Sequence, residues 1–135
     1  MVGTLYLLDT NIFIHAQRGH ANVHKRMRRA GQSNLLLSSL VAAELAYGVE
    51  KSTHKAKNRI ALEALLSAFA VVPWDESAMW FYAGNFHRLR SGGTPIGEMD
   101  LLIGCQALAL GATCVTDNTR EFERIDGLKL ENWVT

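Results

Sequence analysis

Four acidic positions, far apart in the chain, sit where an apolar run ends or a helical one begins. They are Asp9 in Leu7-Leu8-Asp9-Thr10-Asn11, Glu44 in Ala42-Ala43-Glu44-Leu45, Asp100 in Gly97-Glu98-Met99-Asp100-Leu101-Leu102-Ile103, and Asp117 in Val115-Thr116-Asp117-Asn118. Carboxylates at buried element ends are costly unless positive charge stands among them. Several converging on one point repel each other and invite a hard divalent cation, Mg²⁺ or Mn²⁺. The chemistry of such a group is metal-assisted phosphodiester hydrolysis. Each position also has a plain structural reading: Asp9 as a helix cap, Glu44 on an exposed stripe, Asp100 as a first-turn acid favoured by the helix dipole, Asp117 as a turn residue. Their joint arrangement favours a site.

The neighbours of these acids are of types that orient carboxylates. Thr10, Asn11 and Thr116 can hydrogen-bond the acids or the turns that carry them. Glu98 stands two residues before Asp100, about 200° round a helix from it, so the two do not face one way. Glu98 and Glu121 are therefore rim candidates. His20 and His24, four apart, could share a helix face but have no third zinc ligand beside them. Gly92, Gly93 and Gly97 form no phosphate loop, because no Gly-Lys-Ser/Thr follows.

Elements that could position these residues alternate between short apolar strands and helices. Strands are expected at Leu5 to Leu8, Leu35 to Leu37, Val71-Val72, Thr113 to Thr116 and Leu128 to Leu130. Helices are expected over Asn11 to Gln17, Ala21 to Ala30 (closed by Gly31), Leu40 to Glu50 (capped by Ser38-Ser39) and Lys55 to Ala68. Two more run from Asp75 to about Leu89, with Met79, Tyr82, Ala83 and Phe86 on one face, and from Glu98 to Leu110, closed by Gly111. Thr119 is expected to cap a short turn through Phe122. The pattern implies an α/β fold, a mostly parallel sheet covered on both faces. In such sheets sites form at the carboxyl ends of strands, where Asp9 and Asp117 fall.

The chain has 135 residues, 48% of them apolar, which fits one globular domain over 1–135. No apolar run approaches the roughly 18 residues of a membrane helix, and the start lacks signal-peptide features, so a cytoplasmic protein is expected. Cys105 and Cys114 lie in apolar segments and read as reduced core residues. The net charge of +1 hides an asymmetry: residues 1–60 hold nine Lys/Arg and three acids, residues 61–135 five bases and ten acids. In the basic half, Lys25, Arg26, Arg28, Arg29, Lys51 and Lys55 are candidates to meet a polyanion such as RNA.

At the four acidic segments the chain resembles the PIN-domain family and, within it, the VapC-type toxin ribonucleases of bacterial toxin–antitoxin pairs. The likeness runs through Ser38 to Gly48, Val115 to Phe122 and Leu130-Glu131-Asn132-Trp133, and covers essentially the whole length. It implies a three-layer α/β/α fold and a Mg²⁺- or Mn²⁺-dependent endoribonuclease. It makes Asp9 and Asp100 the metal ligands, with Glu44 completing the core set and Asp117 keeping a carboxylate at a position that varies in the subgroup. It further implies a homodimer silenced by a VapB-type antitoxin and, from Thr119 to Arg124, relatives that cut initiator tRNA in its anticodon loop. A haloacid-dehalogenase-type phosphatase needs a second Asp where Asn11 stands. A non-catalytic RNA- or partner-binding relative of the same fold is the alternative reading.

Overall fold

Five short apolar runs make the sheet: β1 (Tyr6–Leu8), β2 (Leu35–Ser38), β3 (Ala70–Val72), β4 (Thr113–Val115) and β5 (Leu130–Glu131). In the computed structural model, which describes residues 3–135, every pairing is parallel and the strand order is β3-β2-β1-β4-β5. Leu7 sits opposite Leu36 on one side and Cys114 on the other. Leu7, Leu8, Leu35, Leu37, Cys114 and Val115 are all buried, as strands covered on both faces must be.

The helices are α1 (Thr10–Gln17), α2 (Ala21–Ala30), α3 (Ser39–Glu50), α4 (Lys55–Ala68), α5 (Met79–Ser91), α6 (Glu98–Leu110) and α7 (Thr119–Phe122). The chain steps from β1 through β2 to β3, then crosses back to β4 and β5. Right-handed crossovers therefore put α1 to α4 on one face and α5 to α7 on the other. The order reverses beside β1, and the crevice at the carboxyl ends of β1 and β4 is the topological switch point. Asp9 and Asp117 follow those two strands.

Helix α6 is the most enclosed, with Leu101, Ile103, Gly104, Cys105, Gln106 and Ala107 buried. Gly104 suits the close approach there: a Cβ at this position would overlap Ile125 Cδ1, so that side chain would have to shift, and would touch Phe122 and Leu128. Gly111 ends the helix at φ +65°, the left-handed conformation glycine adopts without penalty. Gln106 accepts a hydrogen bond from Ser38 Oγ and donates to Val72 O, tying α6 to the ends of β2 and β3.

Four expectations need correction. Asp75 caps a 3-10 turn over Glu76–Ala78, bonding Ser77, and α5 starts only at Met79. The inward stripe of α5 is Tyr82, Asn85, Phe86 and Leu89, while Met79 and Ala83 are exposed. Asn85 earns its inward place by donating to Phe81 O and accepting from Asp126 N and Arg88 Nη2. The last strand is Leu130–Glu131, and Thr119 lies inside α7 with Asn118 at the cap position. Cys105 and Cys114 are both buried free thiols, with burial pushing Cys105 up to about 12. No helix among the described residues is long and apolar enough to cross a membrane.

Candidate active site

The apolar run of β1 stops at Asp9, whose extended backbone (φ −69°, ψ 161°) turns the chain into α1. Asp9 is only 4% exposed. One carboxylate oxygen, Oδ1, accepts the Thr10 backbone N–H at 2.8 Å. The other, Oδ2, accepts Thr116 Oγ1 at 2.8 Å and Asn11 Nδ2 at 3.2 Å. Asp9 thus occupies a cap position but spends one oxygen on the crevice.

Thr116, fully buried just after β4, is the hub. Its hydroxyl donates to Asp9 and accepts from Asn118 N at 3.0 Å and Asn11 Nδ2 at 3.3 Å. Asn118 in turn donates through Nδ2 to Asp100 Oδ2 at 3.1 Å. Thr10 reaches a third element, its hydroxyl donating to Glu44 Oε1 at 2.6 Å. A continuous network therefore joins the ends of β1 and β4, the first turn of α6 and the middle of α3.

The electrostatics follow from this convergence. Asp100 is pushed up to about 6, first by burial and then by the charges of Asp9, Glu121 and Glu44, against the lowering bond from Asn118. Asp9 is also raised, chiefly by burial, with smaller contributions from Glu44 and Asp117, while its bonds to Thr116 and Thr10 pull it down. Asp9, Glu44 and Asp100 take part in no ion pair among the described residues. One buried and two half-buried carboxylates that repel each other, with no cation between them, suit an oxygen-coordinated divalent ion. Among the described residues, no three His, Cys, Asp or Glu side chains are grouped to hold an ion unaided. That fits an ion such as Mg²⁺, which uses one or two carboxylates and completes its shell with water and substrate phosphate.

The remaining candidates fall at varied distances from this centre. Asp117 is exposed and pairs with His15 Nε2 at 3.0 Å. Glu121 touches the site: its Oε2 accepts Gly97 N at 3.0 Å and its charge acts on Asp100. Glu98 faces elsewhere, toward Tyr82, in a cleft shared with Phe86, Arg90 and Leu101. Arg26 bonds Glu131 Oε1 at 2.7 Å and lies 5.5 Å over the Trp133 ring. Lys25, Arg28 and Arg29 are exposed on α2, whose end is drawn to the amino edge of the sheet by Asn34 Nδ2 bonding Ala30 O just before β2. Lys51 lies over the Tyr47 ring and Lys55 pairs with Glu50, both at the α3–α4 tip. His20 and His24 are spent locally, on Val23 N and Ala16 O.

Three residues enter the site that pattern alone does not single out. Asn118 bonds Asp100, His15 bonds Asp117, and Arg18 lines a cleft of about 550 Å³ between α1, α3 and α4 together with Thr10, Ile14, Glu44 and Leu62. The only available signal was helical spacing: His15 stands four residues after Asn11, on the same face of α1.

Comparison with known proteins agrees with this geometry. The PIN domain family matches residues 6–128. Ribonuclease VapC2 of Rickettsia felis is 38% identical over 131 residues, covering 96% of this chain and 98% of that protein. The tRNA(fMet)-specific endonuclease VapC of Shigella flexneri is 36% identical over 129 residues, covering 95% and 97%. The crystal structure of VapBC2 from Rickettsia felis, bound to a promoter DNA fragment, superposes with a TM-score of 0.89 at 37% identity, over 96% of this chain and 99% of that one. With its acids at the switch point of an all-parallel sheet and these relatives along its whole length, the chain belongs to the PIN-domain family, among the VapC-type ribonucleases.

Proposed function

We propose that this chain is a Mg²⁺- or Mn²⁺-dependent endoribonuclease toxin that hydrolyses RNA phosphodiester bonds within a cell and is silenced by a VapB-type antitoxin. The observation that carries the metal dependence is the cation-free set of Asp9, Glu44 and Asp100 joined through one hydrogen-bond network, in which Asp9 is buried and Asp100 is raised to about 6, first by burial and then by the charges of Asp9, Glu121 and Glu44. Asp9 and Asp100 would hold the ion. When bound, the ion supplies positive charge against the developing phosphorane and acidifies a water. Thr116 and Asn118 fix the two carboxylates in place by hydrogen bonds. Glu44, steadied by Thr10, orients water for in-line attack, and Asp117 acts from the rim. Attack by a metal-activated water leaves a 5′-phosphate and a 3′-hydroxyl.

Single-stranded RNA loops suit the crevice, because their bases can splay away from the scissile phosphate. Transfer RNA is the favoured substrate, supported by the name of the Shigella flexneri relative. The antitoxin is supported by solved neighbours that are VapBC complexes. Its apolar segment fits the cleft lined by Ile14, Leu45, Val49 and Leu62, which opens beside Glu44, and a basic side chain from it would satisfy the carboxylates. The exposed Met79, Trp80 and Phe81 of α5 offer an apolar face for a homodimer.

The test is incubation of the purified chain, freed of antitoxin, with total bacterial RNA in Mg²⁺, Mn²⁺ and EDTA, beside an Asp100→Asn control. Discrete cuts with 5′-phosphate ends, present with metal and lost in EDTA and in the variant, are expected. Equal cutting in EDTA, or undiminished cutting by the variant, would overturn the reading.

A further inference from the structure

The fourth acid is engaged by a partner that the other three lack. His15 Nε2 donates to Asp117 Oδ2 at 3.0 Å. The backbone N–H of Asp117 is itself bonded by Asn11 Oδ1 at 3.3 Å, so the residue is gripped from both ends of one turn of α1. The His15 ring is steadied in turn, packing edge-on against His20 with centroids 5.3 Å apart. His20 is immobilised because its Nδ1 accepts the Val23 N–H and caps α2. The bond between His15 and Asp117 therefore rests on two helix starts.

We propose that His15 is a positioning residue that holds the Asp117 carboxylate out of the metal-binding group, leaving Asp9 and Asp100 as the ligands with Glu44 beside them. The inference rests on the metal-dependent reading above. A carboxylate already accepting an imidazole N–H must give up that charge-assisted bond before it can turn toward the crevice. Asp117 remains at the rim, where a fixed negative charge orients water or repels a misplaced phosphate.

The experiment is Mn²⁺ titration of the full chain, read from the loss of the free-ion electron paramagnetic resonance signal. Wild type, Asp117→Asn, His15→Ala, His15→Gln, the double variant His15→Ala/Asp117→Asn and Asp100→Asn are compared, with circular dichroism confirming the fold. Asp117→Asn is expected within about twofold of wild type, and Asp100→Asn to be at least tenfold weaker. His15→Ala should bind Mn²⁺ at least threefold more tightly, as the released carboxylate joins the ion. Glutamine, which can still donate to Asp117, should restore wild-type affinity, and the double variant should match Asp117→Asn. Weakening in Asp117→Asn as severe as in Asp100→Asn, or unchanged affinity in His15→Ala, would overturn this inference alone. A wild-type chain that binds no Mn²⁺ would overturn the metal reading and this inference with it.

Discussion

At the scale of single residues, the site is a problem in charge. Asp100 has its carboxyl raised from 3.8 to about 6, so the folded metal-free chain holds that proton more tightly than the unfolded chain does. By linkage, stability from this group is fully present below about pH 4 and is lost as pH rises through 6. Asp100→Asn removes the loss. At pH 7 in EDTA the variant should be more stable than the wild type by about 1 kcal/mol, a figure discounted because Asp100 is only partly buried. The gap should close by pH 4, and thermal melts across that range would check it. The same variant should lose metal-dependent cleavage. Thr116 has the opposite character, because its hydroxyl serves three partners at once. Thr116→Val keeps the shape but strands the Asn118 N–H and part of the Asp9 carboxylate. A cost of about 1–3 kcal/mol is expected by denaturant unfolding. Because the lost bond lowered Asp9, the acid limb of the activity profile should also move to higher pH.

At the scale of elements, the positions of the acids were readable because strand ends are sharp in sequence. Leu7-Leu8 gives way to Asp9, and Val115-Thr116 to Asp117, and a parallel sheet puts both breaks on one edge. Glu44 was harder to read, since periodicity alone left it on an exposed stripe; only the hydroxyl of Thr10, thirty-four residues away, draws it in. Asn118 was not readable, because its partner Asp100 lies on another element, and His15 showed only its spacing from Asn11; Arg18 joins the cleft only once α1, α3 and α4 are packed together. The inward face of α5 was misread because a buried asparagine breaks the apolar pattern while satisfying its own hydrogen bonds. Helix α6 carries a sharper constraint that composition also hides. Gly104 lies where α6 presses on Ile125, Phe122 and Leu128. Gly104→Val should cost about 2 kcal/mol through overpacking, despite valine's better helix propensity. A lower urea midpoint at unchanged slope would report it. Since α6 carries Asp100, cleavage should weaken as well.

At the scale of the whole molecule, the charge asymmetry seen in the sequence does not map onto one basic face beside the acids. Arg26 is committed to Glu131 and Trp133, and Trp133 is nearly fully buried against Tyr6. Its charge therefore holds the end of the chain to α2. Lys25, Arg28 and Arg29 follow α2 toward the amino edge of the sheet, away from the crevice at the carboxyl edge. An α-helix of ten residues spans about 15 Å, and exposed charges are screened beyond about 8 Å at physiological ionic strength. A short RNA held over Asp9 and Asp100 should scarcely feel these three bases. Arg18 differs, lining the cleft that also contains Glu44. Two substrates separate the roles: a single-stranded oligonucleotide of a few residues and an intact transfer RNA. Replacing Lys25, Arg28 and Arg29 together by alanine should leave KM for the oligonucleotide within about twofold. For transfer RNA the same variant should raise KM and reduce its salt dependence, because a large polyanion reaches round the molecule and releases counterions there. Arg18→Ala should raise KM for both. If the triple variant weakened both substrates equally, α2 would have to lie within reach of the scissile phosphate, and the division of the surface into a carboxyl-edge crevice and a remote basic helix would fail.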